Sequence, residues 1–567
     1  NNTALQEKFS AGVNSFPSGM VQQVNNSLFW AWKNYLSFNK GFGHHNLSAT
    51  AGYEAQLSKY EFIQGASINL FTNEQVALNN GTAQPVSGAP FVNSLASYFG
   101  RVGYTYNDRY SLNLAFRGDA ASTFGPNNKW GYFPAASLGW TVTKEKFAEA
   151  IPALNYLKLR VGAGVVGNRN APSGAPQPPY TAGITTSING FGPGTMVKNV
   201  ANPDLKWEQV VTYNAGFDAT FFKRKVDLTV DVYKKQTQNM LLYSSAPTFV
   251  GLGIVALPIV NAGQMTNKGI DIGLTTYNIN NKNFSWKTNA IFTHYKNRLD
   301  KLVNERSALT GNVVYGTITV TRTVPGYPVG SFYGATTDGL FTEKEAASGA
   351  IPVQFGLQPA TSATTAGTWA GDIKMKDLSG PNGVPDGNID NFDVGFIGNP
   401  HPKFTYGLTN SFSFRGFDVS VFLQGSYGAQ IYNFLGRYLE GVENLFNNQL
   451  VKVMNRYTAA NPNGTIPRFT SANKNNTTIS DRFVESGSFL RIQNVSIGYN
   501  VPKTFIQKAH LSNLRVYISA QNLYTFTKYS GYDPEIGAFN QSITLMNVDN
   551  GHYPNPRSFT VGLNVEF

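Results

Sequence analysis

Apolar side chains recur at every second position through most of this chain, and the segments that carry them are joined alternately by short and long connections. Successive side chains of an extended chain point to opposite sides, so period-two alternation marks a strand with one apolar and one wet face. In 213–221, Tyr213, Ala215, Phe217, Ala219 and Phe221 face one way and Asn214, Gly216, Asp218 and Thr220 the other. After a turn at Lys223, Arg224 and Lys225 the pattern resumes with Val226, Leu228, Val230 and Val232 against Asp227, Thr229 and Asp231, which predicts a hairpin. Further hairpins are predicted to turn at Arg415 and Gly416, at 280–283 and at 107–109. The last segment, 557–567, alternates Phe559, Val561, Leu563, Val565 and Phe567 with polar or small residues and stops on the aromatic ring.

Counting every such segment predicts about fifteen strands, near 28–40, 45–57, 94–106, 110–118, 135–143, 156–164, 208–222, 226–236, 267–279, 284–297, 403–415, 417–427, 488–500, 513–523 and 557–567. Short links (41–44, 107–109, 144–155, 223–225, 280–283, 416, 501–512) alternate without exception with long ones (58–93, 119–134, 165–207, 237–266, 298–402, 428–487, 524–556). An up-and-down barrel with turns at one end and loops at the other produces this order directly. A Greek-key sandwich does not keep it. The expectation is an all-β fold, a transmembrane antiparallel β-barrel with short periplasmic turns and long extracellular loops, spanning 1–567 without a domain linker. The last strand then descends, and Phe567 lies at the periplasmic rim. The loops are rich in Gly, Pro, Asn, Ser and Thr, and the run A-P-S-G-A-P-Q-P-P-Y at 171–180 is expected to build no core of its own.

Composition agrees with a membrane barrel. Charged residues make up 14% of the chain, well below the roughly 25% of ordinary globular proteins. Aromatics reach 13%, enough for belts at two membrane interfaces. No run approaches the roughly 20 apolar residues of a membrane helix, so any crossing is made by strands. The net charge of +12 is spread singly along strands and turns, with Lys223, Arg224 and Lys225 the longest cluster, which reads as solvated turn rather than nucleic-acid surface. Cysteine is absent, which removes disulfides and thiolate-bound metals.

No catalytic constellation is evident: the chain carries no phosphate-binding loop, no H-E-x-x-H and no nucleophile elbow, so no enzyme is expected. The six histidines are scattered. One cluster has ligand character: Asp377, Asp386, Asn388, Asp390 and Asp393 lie in a Gly-rich loop. Oxygen donors at alternate positions can converge on calcium, and the same residues can instead build a network of Asx turns. Both readings stand at this level. Trp130, Tyr132, Phe133, Trp369, Tyr432 and Tyr438 could stack on sugar rings or pack in belts and loops. Arg491 and Gln493 fall on the polar, lumen-facing side of their strand, where such residues contact a plug, line a solute path or stand in a structural ladder.

A series of motifs resembles the SusC-like TonB-dependent outer-membrane transporters of the Bacteroidota (the SusC/RagA family). It includes R-V-G-Y-T-Y-N-D-R-Y at 101–110, L-K-L-R-V-G-A-G-V-V-G-N at 157–168, N-P-D-L-K-W-E at 202–208 and N-K-G-I-D at 267–271. Further along come G-S-F-Y-G at 330–334, D-G-L-F at 338–341, K-D-L-S-G-P-N-G-V-P-D-G-N-I-D at 376–390 and I-G-N-P-H-P-K-F at 397–404. S-F-L-R-I-Q-N-V-S-I-G-Y at 488–499, A-Q-N-L-Y-T-F-T at 520–527 and G-Y-D-P-E at 531–535 complete it. The resemblance implies a 22-stranded barrel closed by a plug, of which this chain supplies about fifteen C-terminal strands, the plug and TonB-interacting segments lying outside it.

By the same resemblance the function is TonB-dependent active import of oligomeric nutrients, glycans or oligopeptides, across the outer membrane under a SusD-like lipoprotein lid. A scaffolding barrel of an outer-membrane assembly and an open diffusion pore are the alternatives. The implied partners are the SusD-like surface lipoprotein, the TonB complex through the missing N-terminal part, the barrel-assembly machinery reading Phe567 as its signal, lipid or lipopolysaccharide, and the glycan or peptide substrate. No nucleic acid and no required cofactor are expected, with calcium in the acidic loop left open. The location is the bacterial outer membrane, crossed many times.

Overall fold

The computed structural model describes residues 18–71, 77–170, 202–243, 259–303, 308–313, 317–441, 448–470 and 474–567, and the backbone of short strands at 2–6, 9–11, 14–16, 180–184 and 194–197. The run 171–179, expected to be a coreless loop, lies outside the described residues. Among those described, seventeen strands belong to one large sheet, and fifteen of them are long. They are β1 (Gly19–Phe42), β2 (His45–Ile68), β3 (Ser87–Tyr106), β4 (Tyr110–Ala121) and β5 (Trp130–Thr141). Then come β6 (Leu154–Asn168), β7 (Glu208–Phe221), β8 (Val226–Tyr243), β9 (Ile259–Asn280) and β10 (Phe284–Lys301). The last are β11 (Phe404–Phe414), β12 (Phe417–Tyr427), β13 (Phe489–Asn500), β14 (Asn513–Thr527) and β15 (Ser558–Glu566).

Each corresponds to one expected strand. The periodicity understates their length at the ends that carry the long loops: the segment expected at 94–106 begins at Ser87, and that expected at 28–40 begins at Gly19. Alternation marks only the part of a strand with lipid on one side, whereas ladder hydrogen bonds continue beyond it.

The chain divides into two compact units. The first comprises 1–140, 161–213 and 237–263. Within it β1 to β5 form an antiparallel meander in chain order. Asn107 and Asp108 turn β3 into β4 with positive φ, which short Asx side chains tolerate. A small core gathers at the loop ends from Leu95, Ala121, Phe124, Phe133, Leu205, Trp207 and Ile259. The motif N-P-D-L-K-W-E thus supplies Leu205 and Trp207, and the Trp207 indole N–H donates to the Lys129 carbonyl at 2.9 Å.

The second unit comprises 141–160, 214–236 and 264–567, and within it β9 to β15 pair consecutively and antiparallel. The register Phe414 to Phe417 leaves Arg415 and Gly416 as a two-residue turn with φ of 45° and 93°. Two left-handed residues match the twist of a hairpin, and glycine takes the second at no steric cost. One face of this sheet carries two aromatic belts. Near the turns, Trp286 stacks on Phe412 at 5.8 Å and Phe417 lies 4.5 Å from Tyr499. Toward the loops, Phe404 lies 5.4 Å from Phe292 and 5.1 Å from Tyr427. On β11 the belts are marked by Phe404 and Phe414, the two ends of the strand. That separation is about 34 Å along the strand and about 25 Å in depth at a tilt near 40°, the height of an outer-membrane apolar band.

On the terminal strand, Val561 is 76% exposed on the apolar face and Thr560 lies on the other. Val561→Arg places a cation in lipid and is expected to destabilise the folded barrel by about 2–4 kcal/mol, while Thr560→Arg leaves it near wild type. Urea unfolding in lipid vesicles measures both, and equal effects would remove the assignment of faces.

Candidate functional site

The loops of the second unit, though built from turn-forming residues, fold into a module with its own cores. Leu309–Val313, Ile318–Thr323, Phe332–Ala335 and Val394–Gly398 form a four-stranded sheet. Gln430–Asn433, Val484–Ser486 and Val548–Asp549 form a three-stranded one. Phe332, Tyr432, Phe434, Phe483, Leu545 and Val548 meet in one core, and Ala335, Ile373, Met375 and Ile389 in another. A short helix, Glu343–Ala347, starts on a capping box in which Thr342 and Glu345 exchange hydrogen bonds. Lys374 Nζ lies 2.8 Å from the same Glu345, and these contacts hold its carboxyl at about 2, so it stays ionised.

Buried charge fastens these loops to each other. Asp372, fully buried, accepts Nε and Nη2 of Arg468 at 2.8 Å each, the Asn476 amide at 2.8 Å and the Trp369 backbone N–H at 2.8 Å. Arg468 sends its remaining donors to the carbonyls of Ala363 and Gly367. Every polar atom of the pair is satisfied, which is what makes such burial tolerable. His401, from I-G-N-P-H-P-K-F, lies 2.9 Å through Nε2 from the Val329 carbonyl, and its Nδ1 lies 3.2 Å from the Tyr295 hydroxyl. Burial lowers its pKa, so the neutral ring donates through Nε2 and accepts through Nδ1. Tyr529, whose phenol is pushed up by burial, donates to Asp549 at 2.5 Å.

A second fastening ties the segment 529–547 to the sheet wall. Arg491 on β13 is 2% exposed; its Nη2 donates to Asp533 at 2.5 Å, its Nη1 to Glu535 at 2.8 Å and its Nε to the Thr525 hydroxyl at 2.9 Å. The structure places Arg491 in a buried clamp with Asp533 and Glu535 of G-Y-D-P-E. Gln493 sits where the pairing of β13 and β14 shifts register between Ile492 and Asn494, its side-chain oxygen buried without a partner among the described residues. Beneath the clamped segment is a cavity of about 600 Å³. Its walls are Ile291, Thr293, Thr405, Gly407, Phe422, Gln424 and Phe489 of the sheet, and its roof is Pro534 to Ala538 with Met546 and Asn547. Gln424 reaches Glu535 at 3.3 Å, and that carboxylate, 43% exposed, is the charged group facing the space. A pocket with apolar walls and few polar groups is the form a solute site takes.

The acidic loop is organised by backbone amides. Asp393, 2% exposed, accepts the N–H groups of Leu378, Ser379 and Asp390 at 2.6, 3.0 and 2.8 Å. Asp377 accepts from Gly387, Asp386 from Asn388 and Asp390 from Phe392. Among the described residues no three His, Cys, Asp or Glu side chains are grouped to hold a metal. These bonds form Asx turns, and the second oxygen of Asp377, Oδ1, is buried without a partner among the described residues.

The aromatic candidates do not share one surface. Phe133 and Tyr432 are core residues. Trp130 stacks on Tyr98 and Tyr132 on Phe116, all four exposed on the strands of the first unit as an interface belt does. Trp369 and Tyr438 are half-buried among the loops. The cavity's roof, Pro534 to Ala538, carries no periodicity, and the G-Y-D-P-E motif is the one signal the sequence offers for it. Phe567 is 90% exposed at the end of the chain, one residue beyond β15.

Asp372→Asn strips the charge from one side of a buried pair and is expected to cost about 3–5 kcal/mol locally. Hydrogen exchange then accelerates at 367–376 and 474–477 while β9 to β15 keep their protection; unchanged exchange in those loops contradicts the fastening role. In the acidic loop, chelation of divalent cations is expected to leave exchange at 377–393 unaltered, and a loss of protection there would show that the carboxylates hold a cation.

The sequence matches the family described as TonB dependent receptor-like, beta-barrel, over residues 6–523. It is 32% identical over 98% of its length to TonB-dependent receptor P3 of Formosa agariphila, covering 54% of that protein. It is 26% identical over 100% of its length to TonB-dependent receptor SusC of Bacteroides thetaiotaomicron, covering 52%. The chain therefore spans about half the length of the curated relatives it matches. In fold it is similar to a chain in the structure of the RagAB peptide transporter, with a TM-score of 0.79 at 22% identity over 97% of this chain and 57% of that one. The RagAB peptide importer in its open-open state gives a TM-score of 0.80 at 21% identity over 100% of this chain and 57% of that one. An outer-membrane barrel whose loops fasten onto its own wall is thus also, by sequence, a SusC-like member of the TonB-dependent receptor β-barrel family.

Proposed function

We propose that this chain forms the wall and extracellular face of an importer that takes up oligomeric nutrients, glycans or oligopeptides, across the outer membrane with energy supplied through TonB. The observation that supports it most is the loop module clamped against the wall by Arg491, Asp533 and Glu535 over a solute-sized cavity. A diffusion pore has no need of a folded, charge-fastened module there, and a scaffold has no need of the cavity. The relatives' names support uptake: one is a SusC, and two solved neighbours are RagAB peptide transporters.

On this reading the remainder of the longer protein supplies the plug and the TonB-interacting segment. A SusD-like lipoprotein covers the long-loop face, which is extracellular. The C-terminus is periplasmic, and the exposed ring of Phe567 is the signal read by the barrel-assembly machinery. Lipopolysaccharide surrounds the outer rim. Binding and gating are the whole chemistry, with no cofactor and no covalent step.

Deleting the gene is expected to abolish uptake of the cognate glycan or peptide oligomer, measured with fluorescently labelled oligomers, while uptake of its monomers continues. Unimpaired uptake of every oligomer tested would overturn the importer reading.

A further inference from the structure

Three adjacent strands change character at one level on their apolar, lipid-side face. Along β8 the residues on that side are Val230, Val232 and then Lys234; along β9, read toward the loops, they are Leu274, Ile272, Ile270 and then Lys268. Along β10 they are Phe292, His294, and then Lys296 and Arg298. Lys296 stands four residues beyond the belt residue Phe292, about 13 Å along the strand and about 10 Å in height. The cations therefore lie just outside the apolar band, where headgroup phosphates stand.

The cluster is short of counter-charge. Lys268 lies directly opposite Lys296 in the register of β9 and β10, and Thr266 lies opposite Arg298. Like charges facing across a ladder repel. Arg298 pairs with Asp300 at 2.7 Å, but among the described residues no carboxylate pairs with Lys234, Lys268 or Lys296, and all three are exposed. A polar hollow of about 390 Å³ opens between Lys234, Lys268 and Arg298, with Gln236, Gln264 and Thr266 also on its wall and Asp300 its one carboxylate, so cations outnumber it three to one. Exposed lysines without a carboxylate partner above a greasy stripe select an amphiphile with an anionic head.

We propose that this face of β8, β9 and β10 is a binding site for lipopolysaccharide of the outer leaflet, with a lipid A phosphate seated among Lys234, Lys268, Lys296 and Arg298 and acyl chains lying on Ile270, Ile272 and Leu274. A soluble phosphate would gain nothing from the apolar stripe. The assignment rests on the orientation given above, with long loops extracellular, because only that leaflet holds lipopolysaccharide.

The test uses the full-length protein in detergent, its folding checked by heat-modifiable migration, titrated with lipid A and with dephosphorylated lipid A by native mass spectrometry. Wild type is expected to prefer the phosphorylated form. The double variant K268Q/K296Q is expected to lose roughly 30-fold in affinity for it, and K268R/K296R to retain it. Equal binding by K268Q/K296Q, equal binding of dephosphorylated lipid A, or saturation of the site by inorganic phosphate at micromolar concentration would overturn the proposal. Val451, 87% exposed in a long loop, reports orientation separately: Val451→Cys is expected to react with an impermeant maleimide on intact cells from which the covering lipoprotein has been deleted. Absence of labelling refutes the orientation and the assignment with it, whereas labelling without loss of lipid A binding in K268Q/K296Q refutes the site alone.

Discussion

A strand in lipid has no water to satisfy its backbone, so each N–H and C=O must be met by a neighbouring strand. The rest of this structure follows from that constraint. It forces long, in-register antiparallel pairing, such as the unbroken ladder from Phe404 to Phe414 against Tyr427 to Phe417. It forces the lipid side to be apolar, and leaves the other side free for charge. There Arg160 is shared between Asp218 and Asp231 at 2.7 and 3.0 Å, binding β6 to β7 and β8. Arg515 on β14 reaches Asp418 on β12 at 2.5 Å, passing over Gly498 of the strand between. A Cβ at Gly498 would stand 2.5 Å from Arg515 and 2.7 Å from Asp418, so only glycine lets the pair cross.

The loops obey a different constraint. They are held by water-exposed turns and by a few buried, fully hydrogen-bonded charges. Such pairs add little net stability over apolar packing but specify one arrangement strongly, because a wrong arrangement strands a charge. Arg468 meets Asp372 across about a hundred residues of chain, and Arg491 meets Asp533 and Glu535 across about forty. A module assembled from such distant pieces needs specific tethers, since turn propensity positions each piece only locally.

This difference explains what could be read in the sequence. The fifteen strands and their hairpin turns were legible because lipid on one side imposes a period of two, and because Arg415 with Gly416 or Asn107 with Asp108 suits left-handed turns. The strand ends were not legible, since beyond the bilayer the ladder continues without the pattern. The loop module was not legible either. Phe332, Phe341 and Ile373 are isolated apolar residues among Gly, Ser and Thr, and no local rule says that each is buried. Tyr432 is chemically indistinguishable in sequence from a sugar-stacking ring until the burial around it is seen. The five acidic-loop residues are the right donors for either a cation or a turn network, and the backbone N–H groups aimed at Asp393 show how the turns are built.

On the import reading, these two kinds of restraint divide the work of moving solute. The wall is stiff, because sliding one strand past another would leave a row of backbone groups unpaired in lipid. Movement near the cavity must therefore come from elements held by side chains on the inner face. The segment 529–547 has unequal anchors there. Asp533 is 5% exposed and also accepts the Glu535 N–H, so releasing it from Arg491 would bury an unpaired charge. Glu535 is 43% exposed, and water can replace Arg491 at its carboxylate with little penalty. The segment is thus pinned at Asp533 and free to yield at Glu535, which places its compliance at the residues that roof the cavity.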